Sequence, residues 1–177
     1  MKRHALLLWL AWTAALVLPA AAEIHRDPLT EAETDQLREA AQDPPLKLKL
    51  FIKFAQQRLE SAEALRFDPK AGPDRAQQIR DLLEDFGSLV DELSDNLDAY
   101  AARKEDLRKP LGEVLIATND WAVRLHDFKI AAAATPAAKE AKVYSFALED
   151  AIDSVDASLK SAGELLEEQK EYFKKKK

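Results

Sequence analysis

Residues 97–115 read "LDAYAARKEDLRKPLGEVL". Whether this stretch continues a helix or ends one decides the fold. It lies inside a row of apolar residues spaced by alternating steps of four and three. The row runs Ile79, Leu83, Phe86, Val90, Leu93, Leu97, Tyr100, Lys104, Leu107, Leu111, Val114, Thr118, Trp121, Leu125, Phe128 and Ala132, with only Lys104 and Thr118 polar. That rhythm is a heptad seam. Its phase does not change across Pro110, although a tight turn normally resets it. A proline inside a helix costs about 3 kcal/mol. Buried large side chains, at about 1.5–3 kcal/mol each, can carry that cost. The pattern therefore predicts one long central helix, 74–133, kinked at Pro110 and spanning roughly 90 Å at about 1.5 Å per residue. The competing reading is a break at Lys109–Gly112, giving a four-helix up-down bundle.

Elements on either side complete an all-α reading. The chain has only four glycines, and its composition favours helix. Thr30 with Glu33 forms a capping box, so a first helix is expected over 30–42. Asp43 with Pro44 and Pro45 marks the start of a second, 45–66. "FDPKAGPD", residues 67–74, is a loop. Thr135 and Pro136 open a last helix, 136–173, with a seam through Leu148, Ile152, Val155, Leu159, Ala162, Leu166, Gln169 and Phe173. A second stripe, Tyr144, Ala151, Leu165 and Tyr172, widens that face enough for more than one neighbour. The expectation is an elongated bundle, residues 30–174, with coiled-coil-like packing. Helix 2 and the last helix fold back along the two halves of the long one. Lys47, Lys49 and Lys53, and separately Lys174 to Lys177, should then meet an acidic belt around Glu84–Asp98. Such exposed pairs select register more than they stabilise.

The N-terminus has its own order. Lys2 and Arg3 precede an uncharged run, Ala5 to Leu18, then Pro19 and Ala20-Ala21-Ala22. This is the arrangement of a secretory signal peptide, residues 1–22, followed by a tail, 23–29, and an exported chain beginning at Glu23. Without Lys2 and Arg3, the 26 basic residues become 24 against 32 acidic, a net charge of −8. So acidic a chain lacks the basic face of a general nucleic-acid binder. There is no cysteine, hence no disulfide, thiolate metal site or thiol nucleophile. Lys174 to Lys177 form a basic tail that offers a weak contact to an anionic membrane or polymer.

Residues that could carry chemistry are sparse. His25 lies in the tail and His126 beside the seam. No Glu-x-x-His pattern occurs for a di-iron bundle, and Met1 is the only methionine. The carboxylate pairs Glu84-Asp85, Asp91-Glu92, Glu105-Asp106, Glu149-Asp150 and Glu167-Glu168 fall on outward positions and read as solvated surface. Trp121, Phe128, Phe86, Tyr100 and Phe173 fall on seams; Phe51, Phe54 and Phe146 fall on second faces. No catalytic, cofactor or metal residue is singled out, and no small-molecule substrate is inferred. "LTEAE", residues 29–33, resembles the LTxxQ repeat of periplasmic stress chaperones through Leu29 and Thr30. Glu33 stands where the glutamine belongs, and the capping box accounts for the same residues. The expectation is a non-enzymatic, exported helical interaction or scaffold protein of the cell envelope, self-associating as a homodimer. The alternative is a periplasmic chaperone or stress-type client-binding protein.

Overall fold

The computed structural model describes residues 26–68, 70–134 and 138–176. The expected signal peptide and His25 lie outside the described residues, as do the expected helix start at Thr135 and Pro136 and the terminal Lys177. Six helices follow one another: α1 (Glu31–Glu39), α2 (Pro44–Phe67), α3 (Arg75–Ala102), α4 (Arg108–Ala133), α5 (Ala138–Ala141) and α6 (Ser145–Lys175). A 3-10 turn, Ala40–Gln42, joins α1 to α2. The chain is all-α, and no strand occurs among the described residues.

The expected long central helix is not present. It is interrupted between Ala102 and Arg108, upstream of Pro110. Lys104 adopts the left-handed conformation, φ 61°. Its N–H donates to Ala101 O at 2.8 Å, and the N–H of Glu105 donates to Tyr100 O at 3.3 Å. These two bonds are the paired closures of a Schellman motif, which ends a helix and turns the chain. The usual residue at that position is glycine; here a lysine occupies it, so the break carries no glycine signal. Asp106 then accepts from the Arg108 N–H at 3.2 Å, and α4 begins. Pro110 is the third residue of α4, where its missing N–H would have had no partner inside the helix.

The heptad reading survives in a different form. Every member of the row from Ile79 to Ala132 except Lys104 is buried. The row lies on two antiparallel helices instead of one, and its single charged member sits at the reversal. The last helix also differs. It starts at Ser145, after the single turn of α5, and keeps its seam: Leu148, Ile152, Val155, Ala162 and Gln169 are all buried.

Packing gives a four-helix up-down bundle, with α2 against α3, α3 against α6, α6 against α4 and α4 against α2. Ladders of contacts fix the directions. Lys49 meets Glu113 and Gln56 meets Trp121, so α2 and α4 run parallel. Ser94 meets Ser158 and Glu105 meets Gln169, so α3 and α6 run parallel. Lys129 meets Glu149 while Leu107 meets Gln169, so α4 and α6 run antiparallel. α3 and α4 face each other across the diagonal, where Phe86 and Trp121 meet edge to face at 5.4 Å and 82°. Trp121, Phe54, Phe86 and Phe128 are the largest fully buried side chains. Phe51 is buried as expected, but Phe146 is 78% exposed.

Reversal at Lys104 also undoes the expected charge register. Lys49 pairs with Glu113 at 3.3 Å, not with the α3 carboxylates. Lys47 and Lys53 lie over the rings of Phe51 and Phe54. At the far end Lys174 contacts Glu171 and Lys176 lies over Tyr172, because α6 runs past the end of α3 instead of ending beside Glu92.

Two substitutions test the reversal. Pro110→Ala removes a buried ring and loosens the unfolded chain while relieving no helix-interior clash. It should lower the denaturant midpoint by about 0.5–1 kcal/mol at unchanged slope. An increase would restore the continuous helix. Lys104→Gly removes the Cβ from a left-handed position and should raise stability by about 0.5–1 kcal/mol in the same assay. A loss of about a kcal/mol or more there would mean that the Lys104 side chain, not its backbone, holds the turn.

Candidate functional site

Charged groups in this chain are withdrawn from water most completely where α1 meets α2 and α3. The capping box forms as the sequence indicates. Thr30 Oγ1 accepts from the Glu33 N–H at 3.3 Å, and the Thr30 N–H donates to Glu33 Oε2 at 2.8 Å. Glu33 does more than cap. Arg58 of α2 donates to both its oxygens, at 3.0 and 2.6 Å, and to the Pro28 carbonyl at 2.8 Å. On its other side Arg58 lies 3.8 Å from Asp85 of α3. Asp85 in turn pairs with Arg26 at 2.7 Å, and Arg26 also donates to the Asp81 carbonyl at 2.8 Å. The side chains of Glu33, Arg58 and Asp85 are only 10%, 14% and 14% exposed. Residues 26–30 are thus tied across α2 and α3, not left as a free tail.

The two carboxyls respond oppositely to this environment. Burial alone would raise the Glu33 carboxyl, but the bonds from Arg58 and Thr30 outweigh it and hold the group below its ordinary value. Burial dominates at Asp85 and raises it, with Arg26 and Arg58 offsetting part of the effect. Asp85 is therefore not the solvated surface acid its sequence position suggests, whereas its neighbour Glu84 is 54% exposed. The pairs Asp91-Glu92, Glu149-Asp150 and Glu167-Glu168 are exposed. Glu105 is half-buried, and Asp106 is held low mainly by the Arg108 guanidinium beside it.

Three other polar contacts bind elements to one another. Arg75 at the start of α3 pairs with Glu140 of α5. Arg124 of α4 pairs with Glu63 of α2 at 2.6 Å. Buried Gln169 of α6 accepts from the Leu107 N–H and donates to the Glu105 carbonyl, both at 3.1 Å, and so clamps the reversal. A groove of about 800 Å³ opens between the N-terminal halves of α3 and α6, with Asp81, Asp85, Asp150 and Asp153 on its walls and Phe146 at its edge. Arg80 Nε is buried there without a hydrogen bond and lies 3.3 Å from Glu84 Oε1. His126 is exposed on α4. Among the described residues no group of three or more His, Cys, Asp or Glu could hold a metal ion. No helix of the described residues is long and apolar enough to cross a membrane.

The Arg58 cluster escaped the sequence reading, yet it had a signal. Glu33 shares the inward row Glu33–Leu37–Ala40 with two apolar residues. Arg58 sits one heptad from Phe51 and one from Leu65. Asp85 stands between Leu82 and Leu89 at helical spacing. A charge inside an apolar row is either surface or paired in the interior, and the partner, 25 residues away in the case of Arg58 and Glu33, is set by folding.

Depressed acidity at Glu33 means its contribution is present above the unfolded-state value of about 4.3 and is lost as pH falls through the lower folded-state value. Glu33→Gln places an amide against Arg58 and should cost about 1.5–3 kcal/mol at neutral pH. The gap to the parent protein should close below about pH 4. Denaturant midpoints measured at neutral and acid pH check this, and a gap independent of pH would overturn the pairing. No protein-family model, curated protein or solved structure matches this chain.

Proposed function

We propose that this chain is an exported, non-enzymatic interaction or scaffold protein of the cell envelope that works through helix–helix contacts. One observation carries the reading: the charged groups most withdrawn from water hold the bundle together, while large apolar side chains remain on its outside. Arg58, Glu33, Asp85 and Gln169 each bond to another part of the same chain. Ile116, Val123 and Ile130 of α4 are 75%, 62% and 72% exposed. Exposed apolar residues in register on one helix suit a protein partner. Export is supported by the order of Lys2-Arg3, the uncharged run Ala5–Leu18 and the small residues Ala20 to Ala22.

Two measurements test this reading. Mass spectrometry of the protein from its native host should show a chain beginning at Glu23; an intact N-terminus in a membrane fraction would replace export with anchoring. Pull-down from an envelope extract should return a partner in fixed stoichiometry or further copies of the chain. Many unrelated clients, together with suppression of aggregation of a test substrate at equal molarity, would instead establish the chaperone reading.

A further inference from the structure

On the outside of α4, Ile116, Val123 and Ile130 recur every seventh residue and are the large exposed apolar side chains of that helix. They form one straight row, about 21 Å long at about 1.5 Å per residue. Lys109, one heptad earlier, ends the row. All three residues are β-branched, and β-branched residues at such a seam favour two parallel helices.

The flanks of the row decide the partner. On one side lie Asp120 and Asp127; on the other lie Asn119, His126 and Ala133. One edge is acidic, and the other carries no carboxylate. When two copies of a helix pair antiparallel about a twofold axis, each flank meets its own copy. Asp120 would then face Asp127 of the second chain, twice over, in a partly desolvated contact. Like charges so placed repel. When two copies pair parallel, each flank meets the opposite one, level by level. Asp127 then faces His126, and Asp120, which also holds Arg124 at 3.2 Å within its own chain, faces Asn119. Both levels join an acceptor to a donor, and both occur twice.

We propose that α4 is a self-association face, on which two copies of this chain meet as a parallel, in-register helix pair centred on Val123. The proposal rests on the reading that the protein works through helix–helix contacts, and it names the partner as a second copy. Closure is isologous, so assembly stops at the dimer. The bundle interior is complete without the partner, and Ile116, Val123 and Ile130 can be changed without touching the core.

The chain has no cysteine, which makes the geometry directly readable. Ile116→Cys and Ile130→Cys, each alone, should oxidise to a disulfide-linked dimer, because a parallel pair brings like positions within the roughly 4.4–6.8 Å Cα separation a disulfide needs. An antiparallel pair centred on Val123 would hold the substituted Ile116 sites of the two chains roughly 21 Å apart; only a mixture of the two variants would then cross-link. In sedimentation equilibrium at tens of micromolar the parent chain should be dimeric, and Val123→Glu should be monomeric with unchanged helical circular dichroism. A monomeric parent chain, a Val123→Glu variant that stays dimeric, or cross-linking confined to the mixture overturns the proposal. The first outcome with a different stoichiometric partner in the pull-down, and the second in any case, leave the scaffold reading standing while removing this face. Monomeric parent protein with unrelated clients removes both.

Discussion

The reversal at Lys104 is the constraint on which the rest of the bundle depends. Two backbone hydrogen bonds close the end of α3, and one residue takes a left-handed conformation to permit them. Because the chain turns there, α4 runs back across the diagonal and places Trp121 against Phe86. The same turn lets α6 run parallel to α3, so that Gln169 reaches both Glu105 and Leu107. Gln169 replaces water at two backbone groups that helix ends leave unpaired. The strain of a left-handed lysine, on the order of 1 kcal/mol, is small beside the burial it makes possible.

Polar groups in the interior serve orientation more than net stability. Burying a charge pair contributes little once desolvation is counted, but removing one partner leaves the other uncompensated. Arg58 illustrates this: it engages Glu33 and the Pro28 carbonyl on one side and lies against Asp85 on the other. Only one docking of α1 satisfies all three. Arg124 with Glu63, Trp121 with Gln56, and Ser94 with Ser158 set the register of neighbouring helices in the same way. Apolar packing fills the bundle, and these contacts choose which sliding position it takes.

What remains at the surface follows from that arrangement. A four-helix bundle buries its inward rows completely, as the fully covered Leu83, Val90, Val114 and Leu125 show. Apolar residues outside those rows therefore have no neighbour within the chain. On α4 they fall into one heptad register, with an acidic edge on one side only.

The sequence by itself determined the helices, their inward faces and most of their caps. Thr30–Glu33 and Asp43 cap where the residue types require, and the apolar row from Ile79 to Ala132 is buried throughout except at Lys104. Periodicity encodes which side of a helix faces inward, and that is a local property. It does not encode whether two segments in the same phase are one helix or two. The loop at Arg103–Leu107 keeps the phase by its length, and with lysine in place of glycine it carries no local mark. The charged cluster was legible only as polar residues inside apolar rows. Its pairing joins residues from α1, α2 and α3 and the segment before them, so it exists only once the tertiary structure has brought those elements together. Tertiary structure likewise decided which carboxylates lie in water, because burial depends on the neighbour that arrives and not on the residue that is covered.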